Sequence, residues 1–106
     1  LGIALSLKRV PPEREMVHVF LGDMTSMTGG FFEAYNYAYR MDLPIKFIVE
    51  DNNKSVCTDT RESWGKNRGH GLWYENLITD ERDELLYSYR YSSKWPHAGA
   101  GQRVTF

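Results

Sequence analysis

Two polar positions, each following an apolar run, are the residues of this sequence best suited to bind a metal ion. Asp23 follows the apolar run at residues 17–21 through Gly22, and Asn52 follows the apolar run at residues 45–50. A carboxylate and an amide supply hard oxygen ligands, which suit Mg²⁺ or Ca²⁺ and not zinc. The pair therefore predicts a divalent cation site, provided that the fold brings the two runs together.

A strand–helix–strand unit would bring them together. Residues 17–21 and 45–50 are typical of buried strands, and apolar residues recur at helical spacing over residues 30–41. Pro44 ends that helix, because the residue before a proline is disfavoured in the helical conformation. A right-handed crossover makes the strands parallel, and neighbouring strands lie about 5 Å apart. We therefore expect Asp23 and Asn52 to face one cation at the same sheet edge.

The same edge should also attract an anion. A helix that begins near Gly30 directs free N–H groups and the positive end of its dipole toward this edge. The hydroxyl groups of Thr25, Ser26 and Thr28 could simply form a turn and cap the helix, or they could contact phosphate. Combined with the Asp23–Asn52 pair, the loop favours the phosphate interpretation. A metal ion with a diphosphate is the ligand that such a site predicts.

These residues resemble the thiamine-diphosphate motif, usually written GDG…NN. The matching segments are Gly22-Asp23, FEAYN at residues 32–36, Leu43-Pro44 and EDNN at residues 50–53. Their combination is most similar to the α subunit of the decarboxylating component of 2-oxo-acid dehydrogenase complexes, within the transketolase-like superfamily. The resemblance spans about residues 1–60, with a motif core at 17–56. It implies an α/β fold with a parallel-sheet βαβ core.

The resemblance also implies roles for individual residues. Asp23, Asn52 and the main-chain carbonyl of Lys54 would hold Mg²⁺. Asn52 would also contact the thiamine diphosphate, together with Gly22, Asp23, Met24 and Thr25. Met24 departs from the motif, which usually has a third glycine there to let backbone approach phosphate closely.

A partner is implied as well. In the family, the glutamate that activates the aminopyrimidine ring lies in another domain, often on a partner subunit. The resemblance therefore implies a partner domain or subunit that carries the pyrimidine-binding half of the site, and it assigns no catalytic residue to this chain. The implied reaction is the decarboxylation of a 2-oxo acid. This chain would be one part of the enzyme and would be inactive alone.

Two alternatives remain open from the sequence. The first is transketolase-type ketol transfer, which uses the same motif. The second is a carbohydrate- or protein-binding module, because exposed aromatic residues would support one. The aromatic residues concerned are Trp64, Trp73, Tyr74, Tyr87, Tyr89, Tyr91 and Trp95.

Composition narrows the class of protein. The chain has 106 residues, with 42% apolar and 25% charged residues, which is ordinary for one small globular domain. A net charge of −1 gives no electrostatic support for nucleic-acid binding.

Cys57 is the only cysteine, so a reducing compartment and a cytoplasmic location are the default expectations. No apolar run is long enough for a membrane span. Because the sequence starts at Leu1 without methionine, we expect residues 1–106 to be part of a longer domain.

Several local expectations complete the sequence interpretation. Residues 1–8 should be helical, residues 60–64 should form a short helical turn, and residues 85–91 favour a strand, with a helix as the alternative. Residues 80–84 suggest a charged turn or helix start, and residues 103–106 suggest a last strand. Cys57 should be a small packed residue. His97, on a glycine-rich loop, is a weak candidate for a functional role.

Two further expectations concern exposure. Asp23, at the end of a strand, should be an exposed carboxylate. Parallel strands are normally buried on both faces, and a short chain cannot cover both. The chain should therefore expose an apolar patch and associate with itself or with a partner. We expect the patch to include some of Phe31, Tyr35, Tyr39 and the aromatic residues of the C-terminal part.

Overall fold

The structure, a computed structural model, describes residues 1–10, 15–64, 72–73 and 84–105. Within these residues the helices and strands alternate in a way that matches the α/β prediction. Their order is α1 (Gly2–Lys8), β1 (Val17–Gly22), α2 (Asp23–Ser26), α3 (Gly29–Arg40), β2 (Ile45–Asp51), β3 (Lys54–Ser55), β4 (Thr58–Asp59), α4 (Thr60–Ser63) and β5 (Leu86–Arg90).

The central feature is a parallel sheet with the strand order β1–β2–β5. The first two strands pair from Val17 opposite Ile45 to Gly22 opposite Glu50, so they end at the same edge. Strand β5 pairs with the other side of β2, also in parallel. The predicted βαβ unit is thus confirmed, and the helical alternative for the segment that forms β5 is wrong.

Helix α3 covers one face of this sheet, because its apolar residues lie on one side. Phe31, Tyr35 and Ala38 are buried and pack with Ile45 and Phe47 of β2. The rings of Phe31 and Phe47 meet edge to face, with centroids 5.3 Å apart. This packing holds the N-terminal end of α3 close to the sheet edge where β1 and β2 end.

The end of α3 shows why the chain turns back into β2. Asp42 takes a left-handed backbone conformation with φ of 48°. The amide N–H of Leu43 donates to the carbonyl of Ala38, and that of Asp42 donates to the carbonyl of Tyr39. These two bonds are the Schellman arrangement, which satisfies the last carbonyl groups of a helix. Helix α3 therefore ends at Arg40, and Pro44 follows the capping turn.

The opposite face of the sheet, here called the outer face, is largely uncovered within the described residues. Phe20 of β1 is 62% exposed, and Tyr87 and Tyr89 of β5 are 54% and 37% exposed. Phe31 and Tyr35 are buried and Tyr39 is half-buried. Our expectation for the exposed patch was therefore correct for the C-terminal aromatic residues and wrong for Phe31 and Tyr35, which form the core on the other face.

Three local expectations have clear outcomes. The predicted helical turn is confirmed as α4, with Asp59 as its N-cap. Residues 103–105 are not in a strand. Cys57 is exposed and not packed, because it occupies the turn between β3 and β4, a hairpin that we did not predict.

Some of the predicted segments fall on residues that the structure does not describe. The glycine-rich, aromatic segment at residues 61–76 also suggests a long loop, and its residues 65–71 and 74–76 lie outside the described residues. Most of the predicted charged turn at 80–84 lies outside them too. In the described ranges, every helix is too short or too polar to cross a membrane.

The two faces of the sheet predict different responses to the same substitution. Phe31→Ala should lower the free energy of unfolding by about 3–5 kcal/mol, because it leaves a cavity against Phe47. Phe20→Ala, the matched control on the outer face, should change the free energy by no more than about 0.5 kcal/mol. Urea unfolding of both variants checks this. Equal losses would mean that Phe20 is also buried in solution.

Candidate metal centre

The carboxyl ends of β1 and β2 bring the predicted site residues to one place. The register pairs Gly22 with Glu50, so Asp23 and Asn52 each follow the paired ends of neighbouring strands. Helix α2, which begins with Asp23, lies against β1, β2 and β3. No strand lies between β1 and β2, which pair directly. The topology therefore brings the two apolar runs together, as the predicted cation site requires.

The most informative side chain at this edge is that of Asp23. It is 1% exposed, and its Oδ2 atom has no hydrogen-bond partner among the described residues. Our expectation of an exposed carboxylate was therefore wrong: Asp23 begins α2, and the helix packs it inward against the sheet. A buried carboxylate oxygen without a partner is costly unless a cation reaches it, so the burial fits a metal ligand.

The two neighbouring asparagines have different surroundings. The side chain of Asn53 is held on both sides, because its Nδ2 donates to Asp59 Oδ2 at 2.7 Å and its Oδ1 accepts from Arg61 Nη1 at 3.0 Å. Asn52 is half-buried, and its Oδ1 accepts the backbone N–H of Lys54 at 3.0 Å. That oxygen keeps a second lone pair, so Asn52 is the better placed of the two to bind a cation.

The remaining predicted contacts lie around the same edge. Gly22 is the last residue of β1, and Thr25 is exposed on α2. Lys54 is exposed and begins β3. Met24 is half-buried in α2, where its sulfur accepts a hydrogen bond from Trp64 Nε1 at 3.0 Å. Because the backbone at Met24 is helical, this position does not need the conformational freedom of glycine.

The start of α3 has the properties of an anion site. Thr28 caps the helix, its Oγ1 accepting from the N–H of Phe31. A helix has no internal partner for the N–H groups of its first turn, and here the first two belong to Gly29 and Gly30. Among the described residues, and apart from the chain neighbours and the adjoining helix backbone, no atom lies within 4 Å of the place where a Cβ would stand at Gly29, Gly30 or Gly22. The open space would let a phosphate approach the backbone.

A cluster that the sequence analysis missed lies directly beside these residues. Asp51 is 2% exposed, and Arg61 binds both of its carboxylate oxygens, at 3.1 and 2.6 Å. Arg90 of β5 approaches the same carboxylate at 3.4 Å. An acidic residue directly after the apolar run of residues 45–50, with arginines further along the chain, was the available signal. Pairing across the sheet could not be read from the spacing.

The cavity next to this edge contains the other residues that we considered. It has a volume of about 670 Å³ and is lined by Asn52, Lys54, Cys57, Trp95 and His97, among others. The structure thus places His97 near the candidate site, although its role stays a prediction. In the described ranges, no group of three or more His, Cys, Asp or Glu side chains could hold a metal ion.

The aromatic residues that suggested a binding module are partly used inside the fold. Trp73 Nε1 donates to the carbonyl of Ser26 at 2.7 Å, and its ring packs against Phe31 and Tyr35. Trp64 bonds Met24, as described above. Both contacts steady α2, so these two tryptophans are explained by the fold. Tyr74 lies outside the described residues.

Comparison with known proteins identifies the family. A family model described as "Dehydrogenase E1 component" matches residues 1–68. The chain is similar to the pyruvate dehydrogenase E1 component subunit alpha of Zymomonas mobilis, with 28% identity over 88 residues, 77% of this chain and 25% of that protein. It is also similar to the pyruvate dehydrogenase E1 component subunit alpha type I, mitochondrial, of Ascaris suum, with 27% identity over 104 residues, 94% of this chain and 26% of that protein.

Two facts follow from these matches. The chain spans about a quarter of the length of the curated relatives that it matches. The family model covers more than half of the chain and includes β1, α2, α3 and β2, the elements that form the candidate centre. The resemblance found in the sequence is thereby confirmed, and the chain belongs to the dehydrogenase E1 component family.

Proposed function

We propose that this chain binds the Mg²⁺ ion and the diphosphate of thiamine diphosphate in a decarboxylating 2-oxo-acid dehydrogenase. One observation carries the proposal: Asp23 Oδ2 is buried without a hydrogen-bond partner among the described residues, at the edge where β1 and β2 end. Family membership supports the same conclusion, because the matched residues include this edge.

The comparison of two buried carboxylates explains why a cation belongs at Asp23. Asp51, at the same edge, is neutralised by Arg61 and Arg90. Asp23 has no arginine or lysine within salt-bridge distance among the described residues. Buried carboxylates are normally paired or bound to metal. A divalent ion at Asp23 would give this carboxylate the counter-charge that the arginines give to Asp51.

Residues of the chain would divide the binding between metal and phosphate. Asp23 Oδ2, Asn52 Oδ1 and the carbonyl of Lys54 would hold Mg²⁺, which prefers such oxygen ligands. The N–H groups at the start of α3 would face the diphosphate, with Thr25 and Gly22 beside it. Met24 would shape the wall of this site from α2 and would not need to contact phosphate itself.

The reaction would depend on a second half of the site. When bound, thiamine diphosphate supplies the nucleophilic ring that makes decarboxylation of a 2-oxo acid possible. The role of this chain is to anchor the diphosphate end and fix its orientation. A partner domain or subunit would enclose the pyrimidine end. The names of the two relatives, both pyruvate dehydrogenase components, favour a 2-oxo acid over the sugar substrates of transketolase.

Replacement of Asp23 tests the proposal most directly. Without ligand, Asp23→Asn should raise the free energy of unfolding by about 1–2 kcal/mol, because a neutral amide is less costly to bury than an unpaired carboxylate. With Mg²⁺ and thiamine diphosphate at about 100 times the dissociation constant, the parent should gain about 2.7 kcal/mol. The variant should gain almost nothing. Calorimetric melting of both proteins, with and without the two ligands, measures this.

The order of the four melting temperatures decides the outcome. Equal ligand-induced stabilisation of the parent and Asp23→Asn would refute the metal role of Asp23. No stabilisation of the parent by the two ligands together would refute the proposed function itself. Thiamine diphosphate with EDTA in place of Mg²⁺ is the control for binding that does not need the metal.

Asn52 offers a second test with a matched control. Asn52→Ala should weaken Mg²⁺-dependent binding of thiamine diphosphate at least about tenfold, because one oxygen ligand is lost. Asn36→Ala removes the exposed α3 asparagine whose Nδ2 donates to Phe32 O, and should leave binding unchanged. Titration followed by tryptophan fluorescence is suitable, since Trp64 contacts Met24 beside the site. Equal affinities for both variants would remove Asn52 from the ligand set.

A further inference from the structure

We infer that Arg61, Asp51 and Asn53 form a positioning lock that holds the metal-binding turn in its geometry, an inference that rests on the function proposed above. None of the three would touch the metal. The turn of residues 52–53 joins β2 to β3 and carries Asn52, and Lys54 follows directly. The two proposed metal ligands of this turn therefore flank Asn53, and the conformation of Asn53 sets their separation and direction.

Asn53 is fixed through its backbone as well as its side chain. Its N–H donates to Asp51 Oδ1 at 3.0 Å, and its carbonyl accepts from the N–H of Thr60 at 3.0 Å. Its side-chain oxygen accepts from both the backbone N–H and the Nη1 of Arg61, at 3.1 and 3.0 Å. Asp59 Oδ2 accepts from its side-chain nitrogen at 2.7 Å. Neighbouring structure thus engages every polar group of this residue.

These contacts stabilise a backbone conformation that the chain would otherwise disfavour. Asn53 has a φ of 60°, in the left-handed region. Asparagine tolerates this conformation better than most residues do, although it still requires support from the surroundings. If the support were removed, the turn could relax, and Asn52 and the Lys54 carbonyl would no longer point toward one ion.

Arg61 links the turn to the rigid part of the fold. Its guanidinium binds both oxygens of buried Asp51 on β2, and at the same time it reaches Asn53. A planar fork can hold two partners in fixed directions, which the single ammonium of lysine cannot do. Arg61 itself lies on α4, whose N-cap Asp59 also bonds Asn53. Arg61 therefore helps to fasten the hairpin β3–β4 and α4 to the sheet edge.

A positioning role and a purely structural role predict different changes in the affinities for Mg²⁺ and Ca²⁺. Mg²⁺ requires nearly ideal octahedral geometry, whereas Ca²⁺ accepts irregular and larger ligand sets. A turn that is still folded but slightly misdirected should therefore lose affinity for Mg²⁺ more than for Ca²⁺. Loss of stability alone would lower the affinity for both ions to the same degree.

The test compares two variants in the full-length protein, purified with any subunit that accompanies it. Arg61→Lys keeps the positive charge beside Asp51 but removes the fork. Asn53→Gly keeps the left-handed backbone at no steric cost but removes the side-chain bonds to Asp59 and Arg61. Arg40→Lys, an exposed arginine in the last turn of α3, is the matched control. Mg²⁺ and Ca²⁺ affinities are measured by calorimetric titration in the presence of thiamine diphosphate.

We expect Arg61→Lys and Asn53→Gly to lose Mg²⁺ affinity about tenfold or more, with a clearly smaller loss for Ca²⁺. The control should match the parent. Unchanged Mg²⁺ affinity in the folded variants, or equal losses for both ions, would overturn the inference. If Arg61→Lys does not fold, the result for Asn53→Gly decides. A parent that binds neither ion would instead overturn the proposed function, which keeps the two failures distinct.

Discussion

The parallel pairing of β1 with β2 is the constraint on which the candidate centre depends. It places the ends of two strands, separated in sequence by a whole helix, at one edge with a fixed register. The same crossover directs the start of α3 toward that edge. The proposed metal ligands and the proposed anion-binding end of the helix therefore both follow from this one connection between the strands. The core of Phe31, Tyr35 and Phe47 keeps that arrangement in place by fastening α3 to the sheet.

At this edge the fold buries two carboxylates and treats them differently. Asp51 is paired with Arg61 and Arg90, so its charge is balanced within the protein. Asp23 Oδ2, in contrast, has no hydrogen-bond partner among the described residues. Burial of an unpaired carboxylate lowers stability, and a sequence under selection for stability alone would have little reason to retain it. The proposed metal site would account for this cost, because a bound cation would supply the partner that Asp23 Oδ2 lacks among the described residues.

The sequence predicted the strand–helix–strand unit well because its signals are local. Apolar runs, helical spacing and Pro44 each act within a few residues, and the order of elements then limits the topology. The burial of Asp23 was not predictable, because it depends on how α2 packs against β2 and β3. The short hairpin β3–β4, with exposed Cys57 at its turn, was missed for a similar reason. Its stability comes from the contacts of Asn53 with Asp59 and Arg61, which lie several residues away.

The two consecutive asparagines show how one turn can serve both geometry and binding. Asn53 adopts the left-handed conformation, and its Oδ1 accepts two hydrogen bonds from Arg61, so that oxygen has no lone pair left for a metal ion. Among the described residues, Asn52 Oδ1 accepts one hydrogen bond, from the N–H of Lys54, which orients the oxygen and leaves it a second lone pair. A single asparagine could not do both, because the bonds that fix the turn use the same atoms that a metal would need. The two adjacent asparagines divide these tasks, because Asn53 holds the turn and the Oδ1 of Asn52 keeps a lone pair for the proposed ion.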